Sequence, residues 1–368
     1  MSAIETQTDI YKDLEDWYVT EKPLFDSLSK KVGSLIEDIL EKNNVEYHSI
    51  TFRAKDVESL ITKAKSKKYK NPKEQIQDFA GIRIITFVKS DVTKVCNLIK
   101  PEFIIDEKNS SDKGEELGDD KVGYRSVHYI AKFNEARTSL FEYSHFKDKC
   151  FEIQIRTILE HAWADISHDR TYKFNNSLPE KNDIKRRFAL AAASLEMVDR
   201  EFDRLSNELE EYSIEITNDT VKGNLEHEID GTSLMAYVQN KFSIPIAKKM
   251  IKPTFMKSEK NVIDELGQMG INTLNDLDNI IDKIVETKKV SIDEIVIDSS
   301  NLLGLFRNIM IIHDPEKYFE NAWQGKWSGI DHDDIEYFGK FGLDYLKIAT
   351  NYGLSLEEDE YEDEDEYK

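Results

Sequence analysis

Phe151-Glu152-Ile153-Gln154-Ile155-Arg156-Thr157 reads as a β-strand with two chemically distinct faces. Successive side chains on a strand point to opposite sides. Phe151, Ile153 and Ile155 therefore enter a core, while Glu152, Gln154 and Arg156 line the other wall. A carboxylate, an amide and a guanidinium on one wall suit a metal ion and a phosphate. Taken alone, the stretch reads more readily as an edge strand with a solvated polar face. The segments around it reverse that reading.

Upstream, Asp78-Phe79-Ala80-Gly81-Ile82-Arg83-Ile84-Ile85-Thr86-Phe87-Val88 predicts a buried strand, with Asp78 at its entry and Gly81 admitting a close backbone approach. Before it, Arg53 and Lys55 share a face if the chain is extended, and Ser59 and Lys63 share one on a helix. Between these blocks and the polar strand lies Lys121-Val122-Gly123-Tyr124-Arg125-Ser126-Val127-His128-Tyr129, where Tyr124, Ser126 and His128 alternate onto one face. After the strand, Glu160 to Lys173 predicts a helix with His161, Asp165, His168 and Tyr172 as a polar stripe opposite Leu159, Trp163 and Ile166. The i, i+4, i+7 spacing of His161, Asp165 and His168 also admits a transition-metal reading, the lesser of the two.

Five ordered motifs, R-x-K…S…K, D-x-x-G-I-R, G-Y-R-S-x-H, E-I-Q-I-R-T and H-A-W…H-D…Y-K, resemble the synthetase domain of the RelA/SpoT family, the (p)ppGpp synthetases, over roughly residues 40–215. Long members also carry a hydrolase domain with a His-Asp metal site. None is expected before residue 40, and His168-Asp169 falls within the synthetase match.

Pyrophosphoryl transfer needs a metal to neutralise the triphosphate, cations to hold its oxygens, a group to activate a hydroxyl, and an acceptor pocket. Asp78 and Glu152 occupy strand positions able to converge on one Mg²⁺. Arg53, Lys55, Lys63 and Arg83 are the candidate contacts to ATP, their guanidinium groups suited to gripping phosphate or stacking on adenine. The resemblance adds Ser59 and Ser126 to the substrate contacts, stacks Tyr124 on the acceptor guanine, and puts Lys121 and His128 near the acceptor phosphates. It also implies that Glu152 is the general base for the 3′-hydroxyl of GTP or GDP, with Gln154 and Arg156 orienting this wall and His161 supporting the acceptor site. Many relatives have Asn or Pro where Val122 precedes the Gly-Tyr pair, which leaves acceptor identity open. The alternatives are the tRNA 3′ end or an adenine nucleotide, as in toxic members of the family, regulated in cis by the C-terminal region. A non-catalytic nucleotide-binding scaffold is a further reading.

The chain has 368 residues, a length suited to two domains. Mean hydropathy is −0.57, and no apolar run approaches the roughly 20 residues that span a bilayer. The polar, acidic N-terminus is unlike a signal peptide, and Cys96 and Cys150 are too few for a disulfide framework. These features point to a cytoplasmic protein without a membrane partner. Net charge is −22, but residues 51–100 hold 12 Lys and Arg against 5 Asp and Glu, whereas residues 201–368 hold 17 against 37. The basic segment coincides with the candidate phosphate contacts.

The expected architecture is α/β: a mixed α+β sheet flanked by helices, of nucleotidyltransferase-like synthetase type, followed by a mostly α-helical C-terminal domain. A helical segment at 1–46 leads into the synthetase domain at 47–215, with a mobile loop at 106–120. A polar linker at 213–230 precedes a helical, regulatory domain at 231–352, and a disordered acidic tail covers 353–368. From Ile184 to Leu209, Ile184, Phe188, Ala191, Leu195, Val198, Phe202, Leu205 and Leu209 repeat every 3.5 residues. This predicts a long helix that packs its seam on the synthetase sheet, with a dimer or interdomain seam as the alternative. Within the second domain, Val262 to Leu277 predicts a helical hairpin with a Gly turn, and Trp323, Trp327, Tyr337 and Phe338 are expected in the core. A protein ligand of this domain and oligomerisation remain open on sequence grounds.

Overall fold

The computed structural model describes residues 3–112, 126–174, 182–252, 260–296 and 301–356. They fall into two compact units, Met1–Asn207 and Glu208–Lys368. No helix among the described residues is long and apolar enough to cross a membrane.

The first unit is built on one mixed sheet of β1 (Ser49–Ala54), β2 (Ala80–Thr86), β3 (Phe103–Ile105), β4 (Ser111–Asp112), β5 (Val127–Phe133) and β6 (Cys150–Thr157). Strand order is β1-β2-β6-β5-β3, with β4 also pairing β5. β2 and β6 run parallel and the other pairs antiparallel. The longer helices are α1 (Ala3–Lys42), α2 (Val57–Lys67), α3 (Lys89–Ile99), α4 (Ile158–Phe174) and α5 (Asn182–Lys222).

Register divides the sheet into a dry and a wet face. Ala54, Ile82, Ile84, Phe151, Ile153 and Ile155 alternate onto one side and join a single core with Leu14, Tyr18, Leu28, Val32 and Ile36 of α1 and Val92, Val95 and Ile99 of α3. Apart from the step from Tyr18 to Leu28, these helix positions recur every three to four residues, the spacing of one helical face. Gly33 allows α1 to approach closely: a Cβ there would sit 2.2 Å from the Phe52 ring. The opposite side of the sheet carries the polar residues of β1, β2, β5 and β6.

The α5 helix forms where the 3.5-residue period predicts it, but its seam is not the buried line. Val198, Phe202 and Leu205 are exposed, whereas Ala192 and Asp199 are buried. Polar groups make the contact: Thr157 Oγ1 donates to Asp199 Oδ2 at 3.0 Å, and the Ser90 amide donates to Asp203 Oδ1 at 2.6 Å. The expected linker is also corrected in part. Residues 213–222 continue α5, with Ile216 and Thr220 buried. In the expected loop, Asp106 closes a turn with Asn109, and Ser111–Asp112 pairs with β5. Residues 113–120 lie outside the described set.

The second unit is mostly helical around one core. Lys260–Gln268 and Leu274–Lys288 form the expected hairpin, turning at Gly270 (φ 76°) and starting again with a Thr273–Asp276 capping box. Tyr337 and Phe338 are buried, and Trp323 and Trp327 pack on that core. Of the segment expected to be tail, Leu354 is buried and Ser355–Leu356 pairs with Gly329–Ile330; residues 357–368 lie outside the described set.

Candidate active site

The wet face builds the site. Parallel pairing sets Gly81 beside Glu152 and Arg83 beside Gln154, while β5 sets His128 beside Gln154 and Ile130 beside Glu152. On the outer side, Arg53 of β1 pairs with Gly81. A cleft of about 220 Å³ opens between these strands, lined by Arg53, Lys55, Asp78, Arg83, Glu152 and Gln154 among others. Asp78 and Glu152, distant in sequence, thus face one space. Gly81 leaves its floor open, since a Cβ there would meet nothing nearer than the Arg53 carbonyl at 4.0 Å.

Asp78 is held by two cations. Lys55 Nζ lies 2.6 Å and Lys63 Nζ 2.8 Å from its Oδ2. Burial alone pushes this carboxyl up, but the two ammonium groups outweigh it and keep the acid below its ordinary range. Its other oxygen, Oδ1, is buried with no hydrogen-bond partner. The Lys55 segment is anchored from α1: the Tyr18 hydroxyl donates to the Lys55 carbonyl at 2.7 Å, and the Ala54 amide donates to Asp26 Oδ1 at 3.2 Å. Sequence reading missed Tyr18. Its signal was a polar-tipped aromatic within the apolar stripe of α1, a position that usually means a buried hydrogen bond.

Glu152 is held on both oxygens. His128 Nδ1 lies 2.8 Å from Oε1, and the Gln154 amide donates to Oε2 at 2.9 Å. Burial raises this carboxyl, but His128 and Gln154 lower it by more, and it ends below its ordinary value despite the charge of Asp78. Both carboxylates are therefore ionised at neutral pH. Ser126 is fully buried, its Oγ 2.7 Å from His128 Nε2.

Arg156 is also buried and turns toward α4, with Nη2 2.6 Å from His161 Nδ1 and 3.7 Å from Asp165 Oδ1. Burial, then the Arg156 guanidinium, pushes the His161 imidazole down. His161 is thus a partner of Arg156, and the His168 side chain lies outside the described set. Arg53 is exposed, its Nη1 3.5 Å from Asp56 Oδ2. Ser59 is exposed on the first turn of α2, one turn before Lys63. Lys121 and Tyr124 lie outside the described residues.

The donor set fits a hard divalent cation. Asp78 and Glu152 line one cleft, and Mg²⁺ is usually bound by one or two carboxylates together with substrate phosphates. Among the described residues, no three His, Cys, Asp or Glu side chains gather into a cage, so phosphate oxygens have to complete such a site.

Residues 52–177 match the family model described as "Region found in RelA / SpoT proteins". The chain is 31% identical over 188 residues to the GTP pyrophosphokinase YwaC of Bacillus subtilis, covering 49% of this chain and 86% of that protein. The chain belongs to the RelA/SpoT family. A second relative, the GTP pyrophosphokinase YjbM of Bacillus subtilis, is 29% identical over 186 residues, covering 50% of this chain and 82% of its own. Small alarmone synthetase 1 from Bacillus subtilis superposes with a TM-score of 0.44 at 25% identity, over 53% of this chain and 98% of that one. In this RelA/SpoT chain the family match runs from β1 past α4 and so contains the carboxylates, the lysines and both arginines of the cleft.

Proposed function

We propose that this pyrophosphotransferase moves the β,γ-pyrophosphate of ATP to the 3′-hydroxyl of GTP or GDP, giving (p)ppGpp. The observation that carries the reading is the convergence of Asp78 and Glu152 on a cleft walled by Lys55, Arg53 and Arg83. Lys55 and Lys63 hold the phosphates, and Arg53 of the edge strand β1 and Arg83 of the neighbouring β2 flank the adenine. Asp78 and Glu152 would hold Mg²⁺, which would supply charge neutralisation for the triphosphate. Glu152, kept ionised, accepts the 3′-hydroxyl proton as that oxygen bonds to the β-phosphorus. The bond from the β-phosphorus to the bridging oxygen breaks, and AMP leaves with the electron pair.

Purified protein given ATP labelled in its γ-phosphate, with GTP or GDP, is expected to yield a 3′-pyrophosphorylated guanine nucleotide. Glu152→Gln is expected to lose about 10²–10⁴-fold in rate. No labelled product from either nucleotide, with wild type and Glu152→Gln alike, overturns the assignment.

One feature supports a second acceptor. Lys65, Lys67, Lys68 and Lys70 follow Lys63 and are exposed, a basic rim suited to a polyanionic backbone. On this reading the acceptor is the 3′ end of tRNA, and label passes from ATP to bulk tRNA instead.

A further inference from the structure

We propose that a second cavity, at the end of the sheet where β6 begins, is a binding site for a small uncharged aromatic molecule. It measures about 500 Å³, against about 220 Å³ for the cleft that holds Asp78 and Glu152, and the two share no lining residue. Sites for small molecules usually span about 300–1,000 Å³ and are lined mainly by apolar and aromatic groups. Trp17 and Phe25 of α1 and Phe79 supply the aromatic part of this lining. Their rings pack on one another, with centroids 4.9–6.3 Å apart. The sheet supplies Ile104, Ile130 and Cys150. Ile104 and Cys150 both pair with Lys132, and Ile130 pairs with Glu152, so these positions share the face that carries Glu152.

Charge selects the class of ligand. Two cations of the lining are already neutralised: Lys73 Nζ lies 2.7 Å from Asp13 Oδ2, and Lys149 Nζ lies 3.0 Å from Glu21 Oε2. Asp106 is closed into its own turn, accepting from Asn109 Nδ2 at 2.8 Å. The other charged groups of the lining, Lys132, Glu74 and Asp148, are of both signs and all exposed to water. An ion entering this space gives up hydration for largely apolar walls, a cost that an uncharged ring does not carry. An aromatic body gains by leaving water and by edge-to-face contact with rings already in the wall. Position gives the site its consequence. Gln77 and Phe79, the neighbours of Asp78, both line the cavity, and Cys150 lies two residues before Glu152. An occupant thus touches the two segments that carry the carboxylates of the cleft without entering the cleft.

Methyl NMR of the full chain tests this, with indole as the uncharged probe and indole-3-acetate and tryptamine as its anionic and cationic counterparts. Ile76, Ile104 and Ile130 line the cavity, and Ile76→Val, Ile104→Val and Ile130→Val assign their signals. The ring current of bound indole should shift all three, and leave Ile281 in the core of the second unit unmoved. Indole should bind at least about tenfold more tightly than either charged counterpart. Ile104→Trp, at a position 53% exposed, fills the cavity from its rim and should abolish the shifts of Ile76 and Ile130. Alkylation by iodoacetamide gives a second reading: indole should slow the reaction of Cys150 in proportion to occupancy and leave that of Cys96 unchanged. Signals of Ile76 and Ile130 that stay still up to the solubility of indole, equal binding of either ion, or shifts that survive Ile104→Trp overturn the proposal. None of these readouts needs turnover, so the site stands or falls apart from the transfer reaction.

Discussion

Lys55 Nζ lies 2.6 Å from Asp78 Oδ2, and that same oxygen takes Lys63 at 2.8 Å. Two ammonium charges therefore sit on a carboxylate proposed as a metal ligand. A bare divalent cation approaching Asp78 meets both. A metal–nucleotide complex brings phosphate oxygens that give each lysine a new partner and release Asp78. Wild type should thus bind Mn²⁺ weakly by itself and at least about fivefold more tightly with a non-hydrolysable ATP analogue, within the usual range of coupling between ligands. Lys63→Met should change the two affinities in opposite directions, raising that for bare Mn²⁺ and lowering that for the analogue. Electron paramagnetic resonance of free Mn²⁺ and titration calorimetry measure both. A variant that loses both affinities, or neither, contradicts the exchange.

Gly81 offers a test that separates the cleft from the fold. It pairs with Glu152 across the parallel strands, and a methyl group there meets no atom closer than 4.0 Å. Gly81→Ala should therefore fold normally and even gain a few tenths of a kcal/mol from a less flexible unfolded chain. The added carbon projects into the space between Arg53 and Glu152. KM for ATP should rise about tenfold while the melting temperature holds or increases slightly. Unchanged kinetics would place the donor nucleotide elsewhere.

Much of this site was legible from alternation alone. The faces of 151–157 and 80–86 follow from a two-residue period, and the basic segment at 51–100 includes Arg53, Lys55 and Arg83 of the cleft. The meeting of Asp78 with Glu152 is less local, because it depends on a parallel register between β2 and β6 that no short motif prints. The partner of His128 was hidden for the same reason, as the contact runs diagonally between strands. The seam of α5 shows a different limit. Periodicity marks Val198, Phe202 and Leu205, but unsatisfied polar groups decide which face docks. The Thr157 hydroxyl and the Ser90 amide each need an acceptor, and Asp199 and Asp203 supply them. The polar stretch after residue 212 hid two buried positions, Ile216 and Thr220, and so read as a linker rather than the end of a helix.

Tyr18 links the core to the phosphate-holding segment. It is fully buried, and its hydroxyl is 2.7 Å from the Lys55 carbonyl. Tyr18→Phe keeps the ring packed against Phe25 and Phe79 and deletes the hydroxyl's hydrogen bonds to the Lys55 carbonyl and, at 3.3 Å, to the Phe79 carbonyl. The expected cost is about 1 kcal/mol, seen as a small drop in melting temperature. Because the loss falls on the backbone of Lys55, affinity for an ATP analogue should also weaken severalfold, whereas acceptor KM should not move. An equal effect on both substrates would show general loosening rather than loss of this anchor.

Glu265 is the buried carboxylate from which an acid dependence of the second unit is expected. It is fully buried. Its Oε2 takes Arg307 Nε at 2.9 Å, and its Oε1 takes Arg307 Nη2 at 2.6 Å and Lys326 Nζ at 3.0 Å. Burial raises this carboxyl, but its cationic partners outweigh that and hold it below the ordinary glutamate value of 4.5. A carboxyl lowered by folding contributes stability that is fully present above the unfolded value and is lost as pH falls through the folded one. The second unit should therefore keep this contribution at pH 7 and lose it progressively below about pH 4.5. Glu265→Gln leaves two cations without a counter-charge and should cost about 3–5 kcal/mol at pH 7. The gap between variant and wild type should narrow in acid, where wild-type Glu265 is itself neutral. Hydrogen exchange of amides in the helix Leu302–His313, which carries Arg307, reads this unit separately from the first. A gap of constant size from pH 7 down to pH 3 would mean that packing, not charge, is what Glu265 contributes.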